Sequence, residues 1–205
     1  MYVPSLTLDT GKEAIGSVQS AEALRWTPES ALVQSLKRMH QRAAEGRSIV
    51  CDHQNAMRHW QRTQVSHRIR GHIERLGCLP TRATLPTYTY EWVQNAIEHG
   101  AAFSNVVEME VLLGREGVLT SITDPGDGFD PDARIISAQT KNTALYEAEG
   151  YPSGRGYGLN GALQSSDVRI GFEHLEHGFR VNLLSSRQEM LDLMVRQEAI
   201  VAAYQ

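Results

Sequence analysis

"VVEMEVLLGREGVLTSITD", residues 106–124, alternates in a way that leaves little choice of structure. Val107, Met109, Val111 and Leu113 fall on one side of an extended chain. Glu108 and Glu110 fall on the other, because successive side chains of a strand point to opposite faces. "GREG" (114–117) reverses the chain into "VLTSITD" (118–124), so the stretch predicts a hairpin with one buried and one wet face. It runs directly into "DPGDGF" (124–129), where Asp124, Asp127, Gly126, Gly128 and Pro125 crowd against Phe129. Read alone, that segment is either an acidic turn or one wall of a ligand pocket.

Upstream, "YTYEWVQNAIEHG" (88–100) predicts a helix starting at Thr87 and ending at Gly100. Before it comes a Pro-bracketed linker, "LPTRATLP" (79–86), and a helix over Asp52–Gly77, with Met57, Trp60, Val65, Ile69, Ile73 and Leu76 at helical spacing. Residues 1–50 read as an α/β extension. It holds a strand at Ser5–Leu8, a helix capped by Thr27 with Pro28 at its first position and Gly46 at its stop, and a short strand "SIVCD" (48–52).

Downstream, residues 131–153 have weak periodicity and read as a mobile segment. "GRGYGLNGALQSSD" opens a helix after its glycines, and "VRIGFE" and "GFRVNLL" form a second hairpin across "HLEHG". The final helix has Ser186 and Glu189 in capping-box spacing. The order of elements predicts an α+β sandwich with helices over a mixed, mainly antiparallel sheet.

Composition narrows the function classes. Among 205 residues, 41% are hydrophobic and 21% charged, ordinary for a chain that buries a core. The formal charge, 20 − 24 = −4, favours neither nucleic acid nor an anionic membrane as partner. Cys51 and Cys78 form no metal-ligand spacing and no disulfide framework. The opening "MYVPSLTLDTGKEAIG" has no basic stretch followed by an apolar one, and no apolar run is long enough to span a bilayer. The expectation is a soluble, cytoplasmic protein.

Three short stretches carry chemistry. On the helix, Glu91, Asn95 and Glu98 stand at i, i+4 and i+7, which predicts polar ends on one face. An amide oxygen coordinates Mg²⁺ well, and a carboxylate one turn away can orient or deprotonate a nucleophile; the same residues also suit a plain wet face. In "TDPGDGFD", Gly126 and Gly128 allow positive φ and close backbone approach to a flat ligand, and Asp124 can accept from an exocyclic amine. In "SGRGYGLNGA", Gly154, Gly156 and Gly158 precede a helix, where backbone N–H groups can converge on phosphate oxygens; a flexible hinge fits equally well. The loop is neither a Walker A motif nor a dinucleotide fingerprint.

Taken together, helical E-x-x-x-N, then D-x-G-x-G-F, then G-x-G-x-G-L resembles the GHKL superfamily: the gyrase, heat-shock chaperone, histidine kinase and mismatch-repair ATPases. The resemblance covers residues 52–184 and implies a Bergerat-type two-layer α/β sandwich. It divides the chain into an extension (1–50), an ATP-binding domain (51–184) with its lid at 131–153, and a C-terminal amphipathic helix (185–205). It also implies ATP and Mg²⁺ as ligands. By that resemblance Asn95 ligates the Mg²⁺ on the triphosphate, Glu91 is the general base, and Asp124 reads the adenine amine. Gly126, Gly128 and Phe129 would shape the adenine wall, and Gly154, Arg155, Gly156, Tyr157, Gly158 and Leu159 would hold the phosphates.

"DPGDGFDP" and "NAIEHGA" are most similar to the anti-sigma-factor serine kinases. That branch implies a serine/threonine kinase in a partner-switching circuit. It would bind a sigma factor and phosphorylate a small antagonist protein, as a homodimer without nucleic acid or membrane as partner. Two other readings stand beside it. One is a histidine kinase catalytic domain with His67 as acceptor, but 95 − 67 = 28 residues leave no room for a helical hairpin before the ATPase core. The other is a non-catalytic, ATP-responsive binding module.

Overall fold

The computed structural model describes residues 1–78, 84–131, 165, 167–192 and 195. It is an α+β sandwich built on one open, five-stranded sheet. The elements run α1 (Leu8–Ala14), β1 (Val18–Trp26), α2 (Ala31–Ala44), α3 (Val50–Arg62), α4 (Val65–Arg75) and α5 (Thr84–Asn95). A π-helical turn (Ala96–Gly100) extends α5, and β2 (Val107–Gly114), β3 (Gly117–Asp124), β4 (Arg169–Leu175) and β5 (Gly178–Ser186) follow. Strand order is β1-β2-β3-β5-β4 and all four strand pairings are antiparallel. Among the described residues the one parallel contact is an isolated bridge of Tyr2 to Ile170 of β4.

Both predicted hairpins form. Val111 faces Thr120 across the first, and Phe172 faces Val181 across the second. The wet face expected of the first hairpin is half correct. Val107, Met109, Val111, Val118 and Ile122 face the helices, in a core with Trp26, Leu36, Trp60, Ile69, Val93 and Ile97. On the opposite face, Leu112, Leu119 and Leu184 are buried in turn under Leu6 and Ile15. Gly11 of α1 lies so close over Leu119 that a Cβ there would come within 2.9 Å of its methyl carbons. Glu108, paired with Arg25 at 3.5 Å, marks the part of this face left to water. A strand pattern reports which side is apolar; a cover from residues 1–15 is not encoded in it.

The extension 1–50 differs most from its expected structure. Ser5–Leu8 is not a strand: Thr7 caps α1, its hydroxyl accepting from Thr10 N–H at 3.2 Å while Thr10 Oγ1 accepts from Thr7 N–H at 2.9 Å. The reciprocal box uses threonine where glutamate or glutamine is usual, so the signal was not legible. β1, unforeseen, pairs along β2 from Val18 to Trp26 and forms one edge of the sheet. α2 starts at Ala31, because Thr27–Ser30 closes as a turn (Thr27 N–H to Ser30 Oγ, 2.9 Å; Ser30 N–H to Thr27 O, 2.9 Å). Gly46, at φ +66°, does stop it.

"SIVCD" is also not a strand. α3 begins at Val50, which is exposed, and buries Asp52 against Arg42 (3.2 Å) and Arg38 (3.6 Å) of α2. The helix expected over Asp52–Gly77 breaks in two at Gln64, which has a φ of +58°. Thr63 donates to Trp60 O at 2.6 Å in that break, and Trp60 and Ile69 both reach the core. Gly77, at φ +76°, ends α4 as expected. The Ser186–Glu189 box forms, with Glu189 N–H donating to Ser186 Oγ at 3.3 Å and Ser186 N–H to Glu189 Oε2 at 3.1 Å. Met190 of the helix it opens is buried. Among the described residues no helix is long and apolar enough to cross a membrane.

Candidate functional site

α5 is seated on the sheet by a buried pair of threonines. Thr89 donates its hydroxyl to Leu85 O at 2.7 Å and lies 3.3 Å from the Thr120 hydroxyl of β3. Pro86 falls in the first turn, where its missing N–H has no intrahelical role. Trp92, Val93 and Ile97 point inward, which leaves Glu91 and Asn95, one turn apart, half-buried on another face.

Glu91 is the unusual member. Its Oε2 is shielded from solvent with no hydrogen-bond partner among the described residues. Burial alone pushes its carboxyl up to about 7. A buried carboxyl without a partner among the described residues, its proton held near neutrality, has the character of a group suited to proton transfer. Its neighbours Tyr90 and Trp92 carry a hydroxyl and an indole N–H that also have no partner among the described residues. Burial drives the Tyr90 phenol well above its ordinary value, with the charges of Glu98 and Glu91 adding to the shift.

Glu98 does not join this group as the i, i+7 spacing predicted. The helix widens into its π turn at Ala96, with Ala101 N–H donating to Ala96 O at 2.7 Å, and the register changes there. Glu98 instead accepts from Gln94 Nε2 at 2.7 Å and pairs with His40 Nε2 of α2 at 3.0 Å.

The π turn delivers Gly100 to the end of β3. Asp124, the last residue of β3, is buried, and its carboxylate sits where a Cβ on Gly100 would have to go. Gly126 closes over the same spot: a Cβ there would lie 2.8 Å from Gly100 Cα. Its N–H donates to Asp124 Oδ1 at 2.9 Å. Burial raises the Asp124 carboxyl and the Gly126 N–H partly opposes that shift. With Oδ1 so engaged, the aspartate keeps lone pairs on Oδ2 for an external donor.

Gly128 takes a φ of +72°, and a side chain there would run into the Phe179 ring. Phe129 turns into an aromatic cluster rather than standing alone as a wall. Its ring centroid lies 5.0 Å from Phe179, 5.1 Å from Phe172 and 6.4 Å from Trp92. These contacts anchor the glycine turn to β4, β5 and α5 at once.

Of the residues expected to form the site, Glu91, Asn95, Asp124, Gly126, Gly128 and Phe129 are therefore carried by α5 and by the β3 terminus that its π turn abuts. Gly154, Arg155, Gly156, Tyr157, Gly158 and Leu159 lie outside the described residues, as does the expected lid beyond Pro131. Sequence reasoning missed Gly100, read only as a helix stop, and Gly178, whose φ of +127° packs it on the Asp124 carbonyl. It also missed the Trp92–Phe172–Phe179 cluster. A glycine at the end of a helix signals a cap; that it faces a carboxylate two strands later is a tertiary fact. His67 is exposed on α4, and the described residues contain no group of three or more His, Cys, Asp or Glu able to hold a metal ion. A Mg²⁺ carried in with phosphates needs only one or two protein oxygens, and the half-buried amide of Asn95 suits that donor set.

Compared with known proteins, the sequence matches no family model and no curated protein.

Proposed function

We propose that the chain is an Mg-ATP-binding regulatory protein of the GHKL type, acting as an anti-sigma-factor-like serine/threonine kinase on a small antagonist protein. The observation that carries this reading is the juxtaposition at the end of β3. A buried carboxylate, Asp124, is pinned by a glycine turn and pressed against Gly100. The same helical unit bears Glu91, whose Oε2 is without a partner among the described residues. Asp124 would accept the exocyclic amine of adenine, with Gly126, closed on Gly100, and Gly128, closed on Phe179, setting the turn that holds it. Asn95 would hold the Mg²⁺ through its amide oxygen, and the ion would neutralise charge on the phosphates.

Glu91, with its proton affinity raised to about 7, is poised to take the proton of an incoming serine hydroxyl at neutral pH. Burial of Oε2 keeps that carboxylate basic until a substrate hydroxyl donates to it. Cytoplasmic location and a homodimer fit this reading and are proposed with it.

The decisive experiment is titration calorimetry of the wild type and Asn95→Ala with ATP, with and without Mg²⁺. The magnesium-dependent part of the affinity is expected to vanish in the variant. Equal affinity in both proteins sinks the site assignment. Incubation with ATP and candidate antagonist proteins then reads the reaction class, because phosphoserine survives acid and phosphohistidine does not.

A further inference from the structure

The backbone that carries Gly100 to Asp124 is strained, and the strain has a visible brace. Three non-glycine residues among those described have positive φ, and two of them, Ala102 (+48°) and Phe103 (+59°), are adjacent just beyond the π turn. Both conformations are disfavoured for residues that carry a Cβ, and a π turn is itself rare. Such a segment persists only where surrounding contacts over-determine it.

Its own backbone supplies some of those contacts: Ala101 N–H bonds Ala96 O, Phe103 N–H bonds Ile97 O at 2.9 Å, and Ser104 N–H bonds Ala101 O at 2.9 Å. β3 presses on the turn through Asp124 and Gly126, and α2, in the extension 1–50, supplies a separate side-chain grip. His40 touches the strained turn on both sides of Gly100. Before it, Nε2 lies 3.0 Å from Glu98 Oε2, and Gln94 holds the other oxygen of that carboxylate. After it, the imidazole meets the Phe103 ring edge-on at 5.3 Å. Gly100, between these two grips, is the residue on which the Asp124 carboxylate and Gly126 rest.

We propose that His40 is a positioning residue for adenine recognition: α2 clamps the Gly100 turn against Asp124, so the N-terminal extension sets the affinity of the site. The proposal rests on the nucleotide reading above, but the clamp has a signature that needs no ligand. A change that frees His40 from the turn lets residues 98–105 relax, and Gly100 no longer backs the aspartate. Because the disturbance falls on the base end of the site, adenosine and Mg-ATP lose affinity by the same factor, whereas a defect at the phosphate end spares adenosine.

The test compares wild type, His40→Ala, His40→Gln and Ile69→Val, the last weakening the core in α4, on an element that takes no part in the clamp. Hydrogen exchange is followed at the bonded amides of Ala101, Phe103 and Ser104, and calorimetry measures adenosine and Mg-ATP. In His40→Ala these amides are expected to exchange about tenfold faster. Adenosine and Mg-ATP are each expected to bind about tenfold more weakly. His40→Gln, which keeps a donor for Glu98, should fall between, and Ile69→Val should lose Tm while leaving both readouts at wild-type levels.

Unchanged exchange in His40→Ala, or equal acceleration in Ile69→Val, overturns the clamp. Faster exchange with unchanged adenosine affinity overturns its coupling to the site. If wild type takes up neither adenosine nor Mg-ATP, the nucleotide reading fails instead, and the exchange result alone decides whether α2 braces the turn.

Discussion

The two ends of β3 are built from the same materials and do opposite things. At the Gly117 end, Gly114 lets the Ile15 carbonyl and side chain close onto the hairpin, and His72 is buried beside it. Both ring nitrogens of His72 are engaged. Arg75 can only donate to Nδ1 (3.3 Å), so Nε2 carries the proton and donates to Gly114 O at 2.7 Å. At the Asp124 end, Gly100 performs the same steric service, yet it makes room for a carboxylate instead of the Ile15 carbonyl and side chain. On the helix that leads into Gly100, Glu91 keeps an oxygen with no partner among the described residues. Buried polar groups that are satisfied make a structure; buried polar groups left waiting mark a place where something else binds.

The contrast is broken most severely by removing the waiting group. Glu91→Ala is expected to cut phosphoryl transfer by about 10²–10⁴-fold, the usual worth of a general base, while nucleotide affinity stays near wild type. Steady-state phosphorylation of the partner, read beside calorimetry, checks it; normal transfer in the variant removes the base role.

The paired glycines come next. Gly114→Ala should cost about 2–4 kcal/mol in urea denaturation, because the new Cβ meets the Ile15 backbone, which cannot step aside. Gly100→Ala should cost only about 1–3 kcal/mol, since the Asp124 side chain can swing away, but it should abolish adenosine binding. If Gly114→Ala loses adenosine and Gly100→Ala does not, the two ends have been assigned the wrong way round.

The smallest effect is a pH dependence. Glu91 holds its proton more tightly when folded, at about 7, than its ordinary 4.5. Protonation therefore favours the fold: that contribution is full below about 4.5, shrinks as pH rises, and is gone above about 7. Glu91→Gln removes the dependence, so it should become more stable than wild type as pH rises from 5 to 8. Partial solvent exposure limits the gain to about 1–2 kcal/mol. Thermal melts across that range are the measurement; parallel Tm curves for the two proteins would contradict a buried, unpaired carboxyl. Phosphoryl transfer by wild type should rise through the same pH window, stability and activity moving in opposite directions.

Most local signals within one element are legible, the Thr7–Thr10 box being an exception, and those that join distant elements are not. The hairpin of 106–124, the Ser186–Glu189 box and the stops at Gly46 and Gly77 are legible, because each depends on backbone geometry within a few residues. Ser5–Leu8, the Thr27 cap and "SIVCD" were misread. At Thr27 a local turn to Ser30 takes the place of the cap; at the other two, side chains settle on partners from elsewhere: Leu6 on the far face of the sheet, Asp52 on Arg38 and Arg42. Glu98 was placed with Glu91 and Asn95 because the spacing assumed an unbroken α-helix, and a π turn moved it to His40.

The sequence by itself determined the α+β sandwich and the two hairpins, since periodicity acts locally. Only the tertiary structure decided that Gly100 backs Asp124, that β1 edges the sheet and that α1 seals half of its second face. It also left Glu91 without a partner among the described residues, a condition set by what the surrounding elements fail to provide. Burial and hydrogen-bond satisfaction are sums over neighbours that the chain brings together from far apart, and no stretch of sequence contains them.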